Sequence, residues 1–525
     1  MALTFSDKLQ LFPLLRVAFF LILGIIAGEQ IGDYCNSSGS GFLSFCGSIW
    51  LWVSLSLVVF AAALFTSKSR YKYVQSILIF LLVTLLGIVL ALHQQKNEAE
   101  CQLPLGMTAY KAVLISELRE AGNTGRTVSC DLLMAEGKMT GQKVKGYFVG
   151  NLSDQRLQRL HVGDGVLATS EMRSLRNDTT KYSGYANYLN LHGFSAITFI
   201  RRGCWMKAKV SLTGLTIFQR AQIGAMKWRK NLIDAYRQEG ISEKELAVTA
   251  ALTLGDKSML SKELREDYSA SGGAHVLAMS GLHLSVIYVL LTFLLQGGRN
   301  RFWAQLAAMI TVWGFVFLAG MSPSLLRSAL MLTVYAFATL LGRSKTSLNA
   351  LALAAIVILV ANPKSIHDVS FQLSFMAVFF LLSILPTVYG WVDSDFLMRH
   401  KVVKWGWGMI AVSIVSQLGV FPLVLYYFGR FPCYFIITNF IVIPSATLIL
   451  YGALAFFLLV PFRPFIAPVL SWAASFMNDS LSTVASLPGA SISGIHVNGL
   501  QTALLYLLIF TIIILIIRLS GIGKA

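Results

Sequence analysis

The sequence has little charge. Only 13% of its 525 residues are Asp, Glu, Lys or Arg, whereas 55% are apolar and the mean hydropathy is +0.66. A soluble domain typically has about 25% charged residues, so this composition excludes an ordinary soluble protein. Several apolar runs exceed the ~18 residues that suggest a membrane-spanning helix. The sequence therefore predicts a polytopic α-helical membrane protein.

Acidic residues are especially scarce. There are 25 Asp and Glu against 43 Lys and Arg, which gives a formal net charge of +18. Such an excess indicates an anionic partner or anionic lipid. Lys and Arg also accumulate in cytoplasmic loops, where they orient membrane proteins. The positions of the basic residues must decide between these explanations.

Complete motifs for nucleotide or metal binding are missing. The segment Leu254-Gly255-Asp256-Lys257-Ser258 resembles only the end of a phosphate-binding loop, because the glycine required upstream is absent. The eight histidines are scattered. His275 and His283 lie about 80° apart around an ideal helix, with no carboxylate pair or cysteine nearby. We therefore expect no nucleotide site, no metal site, no cofactor and no catalytic residue.

Three apolar runs open the chain, at 11–31, 49–65 and 74–92. The first is too long for the core of a signal peptide and no small-residue cleavage site follows it, so we expect a retained helix. The basic loop Lys68-Ser69-Arg70-Tyr71-Lys72 should be cytoplasmic. This orientation places the N-terminus inside the cell and the segment after Leu92 outside.

The six cysteines leave the disulfide pattern open. Five of them fall in segments predicted to face outside, where oxidation is possible: Cys35, Cys46, Cys101, Cys130 and Cys204. A bridge between Cys35 and Cys46, or one within the segment after Leu92, fits equally well.

Short strands replace the apolar runs between Lys96 and about Arg202. Five are predicted, at 111–116, 127–135, 143–149, 165–169 and 195–200. A helix at 153–160, with Ser153 as its N-cap, falls between the third and fourth strands. Five strands with a helix after the third is the order of an OB-type barrel, a fold that often binds single strands.

Aromatic residues in this β-rich segment have two interpretations. Tyr147 and Phe148, together with Tyr182, Tyr185 and Tyr188, can stack on bases. Alternatively, the last three tyrosines pack one helix face against the barrel.

The segment 206–273 is amphipathic. Trp228 lies among Lys227, Arg229 and Lys230, a pattern typical of a helix at a membrane interface. A second helix begins after Ser261, which we predict as its N-cap.

The remainder of the chain is mostly apolar. We predict spans near 274–296, 302–320, 323–341, 348–361, 369–389, 405–428, 433–460, 465–487 and 500–518. Basic residues fall in alternate loops, at Arg299, Arg301, Arg343, Lys345, Arg399, Lys401, Lys404, Arg463, Arg518 and Lys524. This alternation places those loops and the C-terminus in the cytoplasm. The total is about 11–12 spans, with the β-rich domain inserted outside.

Several polar or helix-breaking residues lie inside these predicted spans. They are His275, Ser280, Gly281, His283, Arg327, Gln372, Gln417, Pro422, Asn439 and Pro444. Broken helices and buried polar groups are expected where protein lines a water-filled path. Hydrogen bonds that join neighbouring helices are the alternative. Arg327 needs either a buried partner or an anionic passenger.

A series of short motifs runs through the chain in a fixed order. It comprises Leu254-Gly255-Asp256-Lys257, Leu264-Arg265, the run from Ser271 to His283, the run from Pro323 to Met331, Asn362-Pro363, the run from Asp368 to Phe375, Tyr426-Tyr427-Phe428-Gly429 and the run from Asn439 to Pro444. In these residues, and in Tyr185 to Leu189 followed by Gly193, the chain resembles the ComEC-type competence proteins. The resemblance extends from about residue 10 to 450.

The resemblance implies transport of one strand of incoming DNA across the bacterial cytoplasmic membrane during natural transformation. It divides the chain into N-terminal transmembrane helices at 1–95, an extracytoplasmic OB-like domain at 96–205, an amphipathic segment at 206–273 and a transmembrane channel domain at 274–525. Single-stranded DNA and the lipid bilayer are the implied partners, with a DNA receptor outside and a motor or single-strand-binding protein inside.

One feature departs from the longer members of this family. They end in a metallo-β-lactamase-like domain that is thought to degrade the second strand, and its histidine-rich motif is not found here. We therefore expect this chain to be no nuclease. Two other functions stay open: a small-molecule or glycan transporter on the same scaffold, and a membrane enzyme that uses His275, Ser280 and His283.

Overall fold

The computed structural model describes residues 12–38, 48–65, 72–99, 103–104, 106–121, 126–137, 139–150, 154–175, 183–295, 301–340 and 347–522. They fall into two compact units, one within 1–102 and 330–382 and the other within 103–329 and 383–525. Both units are mainly helical, and the second also contains a β-barrel.

The helices are α1 (Pro13–Ser38), α2 (Ile49–Phe65), α3 (Lys72–Ala99), α4 (Gln155–Gln158), α5 (Ser183–Leu191), α6 (Ile217–Gln238), α7 (Glu243–Thr253), α8 (Lys262–Ser271), α9 (Ala274–Leu277), α10 (Gly281–Leu295), α11 (Arg301–Leu318), α12 (Pro323–Leu340), α13 (Ser347–Ala361), α14 (Val369–Tyr389), α15 (Ser394–Arg399), α16 (Lys401–Phe428), α17 (Phe435–Leu458), α18 (Arg463–Ser486) and α19 (Gly499–Ile522). The strands are β1 (Met107–Leu114), β2 (Arg119–Ala121), β3 (Thr127–Met134), β4 (Lys143–Val149), β5 (Gly165–Ser174), β6 (Phe194–Ile200), β7 (Trp205–Lys207), β8 (Arg430–Pro432) and β9 (Ser491–Ser493).

Eleven described helices have the apolar character of membrane spans. Seven are long enough to cross by themselves, at Pro13–Cys35, Tyr73–Asn97, Pro323–Leu340, Val369–Tyr389, Lys401–Phe428, Phe435–Leu458 and Gly499–Ile516. Four shorter ones lie at Ile49–Leu64, Gly281–Leu295, Phe302–Leu318 and Leu348–Ala361. This confirms a multi-pass α-helical membrane protein. The span predicted at 465–487 is not among them, although a helix is present there as α18.

Glycines bring α1 and α3 together in the first unit. A Cβ on Gly24 would lie 2.1 Å from the Thr84 carbonyl oxygen, and one on Gly87 would lie 2.6 Å from that of Leu21. Small residues allow helix backbones to approach closely in membranes. Helix association there is driven by van der Waals packing and hydrogen bonds, because the hydrophobic effect does not act between helices in lipid. The unit also contains an ion pair between His367 and Glu29 at 2.6 Å.

The β-rich segment folds into a closed barrel in the second unit. The sheet order is β1-β3-β4-β6-β5, and β5 pairs back with β1. All these pairs are antiparallel except β4–β6, which is parallel. Helix α4 lies between the third and fourth barrel strands. The predicted OB-like topology is therefore confirmed.

Details of the barrel differ from the predictions. Strands β2 and β7 extend the sheet beyond the five predicted strands, as additional pairings of β3 and β5. The N-cap of α4 is Asp154, whose carboxylate accepts a hydrogen bond from the Arg156 backbone N–H at 3.1 Å, so the prediction of Ser153 was wrong. Ser153 lies outside the described residues. Cys130 and Cys204 are free thiols, and Cys35 is also free; Cys46 and Cys101 lie outside the described residues.

The amphipathic segment forms three helices that pack on the membrane-type helices of the second unit. In α7, every residue from Leu246 to Thr253 is buried, within a core shared with α17 and α18. Ser261 caps α8 by accepting a hydrogen bond from the Leu264 N–H at 3.1 Å, which confirms that N-cap prediction. Trp228 of α6 is 58% exposed. The membrane-interface role of α6 stays a prediction.

Two prolines predicted to interrupt helices do not do so. Helix α16 continues through Pro422, and α17 continues through Pro444. Proline removes one backbone hydrogen bond, and partners from neighbouring helices can compensate for the loss in a membrane. In α16 the Tyr506 hydroxyl donates a hydrogen bond at 2.8 Å to the Gly419 carbonyl, in the turn preceding the proline.

Candidate functional site

The predicted break in the first span of the second half is present. Helix α8 ends at Ser271, and its C-cap Gly272 has a φ of 90°, which is readily accessible only to glycine. A Cβ on Gly272 would lie 3.0 Å from the Pro432 Cβ. The single turn α9 follows, and residues 278–280 separate it from α10. Broken helices of this kind place polar backbone and side chains at membrane depth only where protein or water surrounds them.

His283 and Ser280 together cap α10. Ser280 immediately precedes the helix, and its backbone N–H and hydroxyl both donate to the Nδ1 atom of His283, each at 3.1 Å. His283 is the third residue of the helix, the position that a Glu or Gln takes in a capping box. The sequence Ser-Gly-Leu-His therefore encodes a helix start, a role that the sequence analysis did not foresee.

The same hydrogen bonds fix the tautomer of His283. Since Nδ1 accepts from a backbone N–H, the ring proton is on Nε2. The side chain is 0% exposed, and Nε2 has no hydrogen-bond partner among the described residues. A buried donor without a partner costs about 1–3 kcal/mol. The polar group is thus retained at an energetic cost.

Two further predicted residues lie at the start of α10 and in the helix packed against it. A Cβ on Gly281 would lie 3.2 Å from the hydroxyl oxygen of Ser328 in α12, so the glycine allows a close approach. Arg327, the preceding residue of α12, is 4% exposed. His275 is different, because its side chain is exposed and its Nδ1 bonds the Gly272 carbonyl at 3.0 Å.

The remaining predicted membrane residues do not form a single cluster. Asn439 donates to the Ser413 hydroxyl at 2.9 Å, while its buried Oδ1 has no partner among the described residues. Gln417 is half-buried one turn further along α16 from Ser413. Gln372 belongs to the first unit, where its amide donates to the Ile366 carbonyl at 2.8 Å.

The barrel carries an exposed group of rings, here called the aromatic surface: Tyr147, Tyr185, Tyr188 and Phe199. The Tyr147 ring stacks on Phe199 with centroids 5.2 Å apart, and its hydroxyl bonds that of Tyr185 at 2.9 Å. Tyr185, Tyr188 and Phe199 are 42%, 52% and 45% exposed. Arg173 lies over the Phe199 ring at 5.6 Å, a cation–π contact.

Two predictions about these aromatic residues were wrong. Phe148 is 1% exposed and packs edge-on against Trp205 in the barrel core, because alternate residues of β4 point inward. It cannot contact a ligand. Helix α5 packs on the barrel through Ala186 and Leu189, so Tyr185 and Tyr188 lie on its exposed side. Tyr182 lies outside the described residues.

The environment of Tyr147 in the aromatic surface changes the pKa of its hydroxyl group. Burial first, and then the hydrogen bond with Tyr185, raise the pKa of Tyr147 well above its usual value. The Tyr147 hydroxyl therefore stays protonated at any physiological pH and holds the rings in place as a neutral group. A neutral aromatic surface is suited to base stacking, because every base has a π-face.

A group of three cations, here called the cationic junction, lies beside the barrel: Arg119, Lys257 and Arg265. The Arg265 guanidinium donates to the Lys257 carbonyl at 2.8 Å. Burial first, and then the charges of Arg119 and Arg265, lower the pKa of Lys257. Arg119 is on β2, so the edge of the barrel meets the Leu254-Gly255-Asp256-Lys257 motif here. Neither Arg119 nor Arg265 was predicted as a site residue, since their proximity depends on the tertiary fold.

Metal chemistry finds no support in the described part of the chain. No group of three or more His, Cys, Asp or Glu side chains there is placed to hold a metal ion. Ser280 and His283 form a hydrogen-bonded serine–histidine pair. That pair belongs to the cap of α10.

Comparison with known proteins agrees with the motif series. A family model described as "Competence protein" matches residues 252–519. The chain is 28% identical over 323 residues to ComE operon protein 3 of Bacillus subtilis (strain 168), which is 60% of this chain and 40% of that protein. It is 28% identical over 254 residues to an uncharacterized protein of Aquifex aeolicus (strain VF5), 46% of this chain and 60% of the other. The chain thus spans only part of either relative, and no solved structure matches it.

Proposed function

The chain belongs to the competence protein family, and from this premise we propose that it passes one strand of incoming DNA across the cytoplasmic membrane during natural transformation. The observation that carries the proposal is the aromatic surface on an OB-type barrel, joined in one chain to a multi-pass helical domain. The barrel receives the strand and the helices conduct it.

The aromatic surface supports binding of a single strand without sequence preference. Rings that are 42–52% exposed remain accessible to bases while their other edges are held by stacking and by the Tyr147–Tyr185 hydrogen bond. Base–aromatic stacking contributes about 1–3 kcal/mol per base. A channel substrate must vary in sequence, so stacking suits it better than recognition of base edges.

The membrane domain supports passage of a polyanion. Residues 274–525 contain 13 Lys and Arg but only 4 Asp and Glu. The break between α9 and α10 brings the polar cap formed by Ser280 and His283 into an apolar bundle, and Arg327 is buried in α12. We propose that His275, Ser280, Gly281, His283, Arg327, Gln417 and Asn439, all in the second unit, line or shape the path. Gln372 stays a predicted site residue of the first unit.

The topology is part of the same proposal. The barrel faces outside and both termini face the cytoplasm, so a strand captured by a receptor outside meets the barrel first. A cytoplasmic motor or single-strand-binding protein then draws the strand inward. The division at 1–95, 96–205, 206–273 and 274–525 assigns these tasks along the chain.

The test is uptake of labelled DNA by competent cells of the source organism. Deletion of the gene should abolish entry of label into the cytoplasm while label still accumulates outside. Complementation with a Tyr185→Ala/Phe199→Ala double variant should restore much less entry than the wild-type chain. Trp228→Ala is the control, because that ring is even more exposed, at 58%, but lies off the barrel. Normal cytoplasmic entry in the deletion strain would refute the proposal.

A membrane enzyme is a second candidate, favoured by one observation. The Ser280 hydroxyl lies 3.1 Å from the His283 ring, as in a nucleophile activated by a base. In an enzyme, His283→Asn should abolish turnover and leave DNA passage intact. In the channel, the Asn side chain can accept the Ser280 N–H and keep the cap, and no turnover exists to be lost.

A further inference from the structure

A row of four residues crosses the outer face of the barrel. Arg119 pairs with Ser129, Ser129 with Tyr147, and Tyr147 with Phe199, on the neighbouring strands β2, β3, β4 and β6. Residues in direct register point to the same face of a sheet. The inward neighbours Val128, Cys130 and Phe148 are buried, so the row faces outward. The aromatic surface and Arg119 therefore lie on one continuous face.

The row has a defined length. Neighbouring strands lie about 4.8 Å apart, so the backbones at Tyr147 and Arg119 are about 10 Å apart across two strand spacings. About three nucleotides of single-stranded DNA cover that distance at the ~3.4 Å spacing of B-DNA. Fewer nucleotides cover it when the DNA is extended. Bases stacked on the rings thus bring the following phosphates to Arg119.

Arg119 is the first member of the cationic junction. Burial is the main reason why the pKa values of Lys257 and Arg265 are lowered, and the charge of Arg119 lowers both further. Within the described ranges, no carboxylate forms an ion pair with any of the three cations. Each cation has a carboxylate beside it in sequence, in Glu120, Asp256 and Glu266. Asp256 accepts a hydrogen bond from the Ser258 N–H at 2.8 Å, and Glu266 forms an ion pair with Arg430 at 2.7 Å. In the described part of the chain, these three cations therefore lie together with none of them paired to a carboxylate.

A buried donor follows the junction toward the membrane helices. The Leu254-Gly255-Asp256-Lys257 motif contacts the break before α10, because a Cβ on Gly255 would lie 2.7 Å from the Met279 sulfur. The Nε2 proton of His283 has no partner among the described residues. Arg119 and Arg265 are exposed and Lys257 is half-buried, so a polyanion can reach the three cations and release counterions when it binds them. The buried His283 donor also favours an acceptor such as an anion.

We propose that the cationic junction binds successive phosphates of the strand as it passes from the aromatic surface toward the break between α9 and α10. The inference rests on the proposed function, and it assigns a phosphodiester site to residues on two parts of the chain, the barrel edge and the Leu254-Gly255-Asp256-Lys257 motif. The contact is electrostatic and independent of sequence. Such contacts can be weak enough individually to release a moving strand.

Salt dependence of binding separates phosphate contacts from stacking. Each phosphate contact with a single strand contributes about 0.7 to the slope of log affinity against log salt. The full chain, purified in detergent, is titrated against a fluorescent oligothymidylate at several salt concentrations by anisotropy. Between 0.1 M and 0.3 M salt, each neutralised contact should make the loss of affinity about twofold smaller.

The variants are Arg119→Gln, Lys257→Gln and the double variant, with Lys244→Gln as the control because Lys244 is an exposed cation of α7. The double variant should have a slope lower by about 1.4, whereas the control keeps the wild-type slope. Arg119→Lys and Lys257→Arg retain the charge and should restore the slope, which a merely structural role would not predict. Tyr185→Ala should weaken binding at every salt concentration and leave the slope unchanged.

Each outcome has a distinct meaning. If the wild-type chain binds and the double variant keeps the wild-type slope, the junction is not a phosphate site, and the proposed function still stands. If the wild-type chain does not bind the oligonucleotide at any salt concentration, the proposed function fails together with the junction. A variant that is not monodisperse is replaced in the comparison by its charge-retaining partner and by the single variants.

Discussion

The cap on α10 gives a prediction that distinguishes a structural histidine from a reactive one. In His283→Ala, the Ser280 N–H loses its acceptor, which costs about 1 kcal/mol as for other N-terminal caps. The side chain is fully buried, so its removal also leaves a cavity that costs about 2–4 kcal/mol. The sum is about 3–5 kcal/mol, from which about 1–3 kcal/mol is subtracted because the unpaired Nε2 donor is removed as well. The net loss of stability is therefore about 2 kcal/mol. In His283→Asn, the side-chain oxygen can replace Nδ1 as acceptor, and only part of the cavity remains.

The assay is thermal unfolding of the purified full chain in one detergent, followed by intrinsic fluorescence. Because the chain contains two units, the order of apparent midpoints is compared rather than a single free energy. The expected order is wild type, then His283→Asn, then His283→Ala. Ser280→Ala should lie close to wild type, since it keeps the backbone N–H that bonds the ring. An alanine variant as stable as the wild type would contradict the cap.

Three further outcomes follow from the structure. Gly24→Ala should destabilise the first unit and lower the yield of monodisperse protein, because its Cβ would lie 2.1 Å from the Thr84 carbonyl oxygen; Gly314→Ala, with nothing within 4 Å, should not. The hydrogen bond with Glu29 raises the pKa of His367 above its unfolded value of about 6.5. The ion pair therefore stabilises the first unit fully below about pH 6.5. This stabilisation is lost as the pH rises through the higher pKa of the folded state. His367→Gln should therefore lower the apparent melting temperature at about pH 5.5 and change it little at about pH 8.5; equal effects at both pH values would contradict this. Tyr185→Ala should weaken oligothymidylate binding about 5- to 150-fold, the equivalent of about 1–3 kcal/mol, and an unchanged affinity would exclude that ring from the binding surface.

The architecture was accessible from the sequence because periodic patterns specify it. Apolar runs longer than a bilayer requires predicted the helices, and strand order with one helix after the third predicted the barrel. The break after α9 was indicated by polar residues in the run from Gly273 to Ser285. These patterns are local in sequence. Each predicts structure reliably because it reflects whether a segment faces lipid, water or a protein core.

The site was less predictable because it depends on which face each residue occupies. Phe148 and Tyr147 are adjacent in sequence, yet one is in the core and the other on the surface, and only strand register decides between them. Helix α5 packs through Ala186 and Leu189 instead of its tyrosines, because the small residue allows closer contact with the barrel. Helices α16 and α17 continue through their prolines, and in α16 the Tyr506 hydroxyl bonds the Gly419 carbonyl in the turn before Pro422.

His283 shows how one motif can be interpreted in two ways. Its spacing from Ser280 is that of a capping box, a signal that was present in the sequence but was interpreted as polar lining of a path. The cationic junction had no such signal. Arg119 and Lys257 are far apart in the chain, and only the tertiary fold brings their charges together.

Contact between the passing strand and the helix break tests the account most directly. A photo-crosslinking amino acid is placed at Ala278, within the break, or at Trp228 on the exposed side of α6 as a control. Competent cells are given DNA whose trailing end carries a bulky block, so that the strand stalls during entry. The account predicts crosslinks to single-stranded DNA from position 278 and not from position 228. Strands that enter the cytoplasm without any crosslink at position 278 would contradict it.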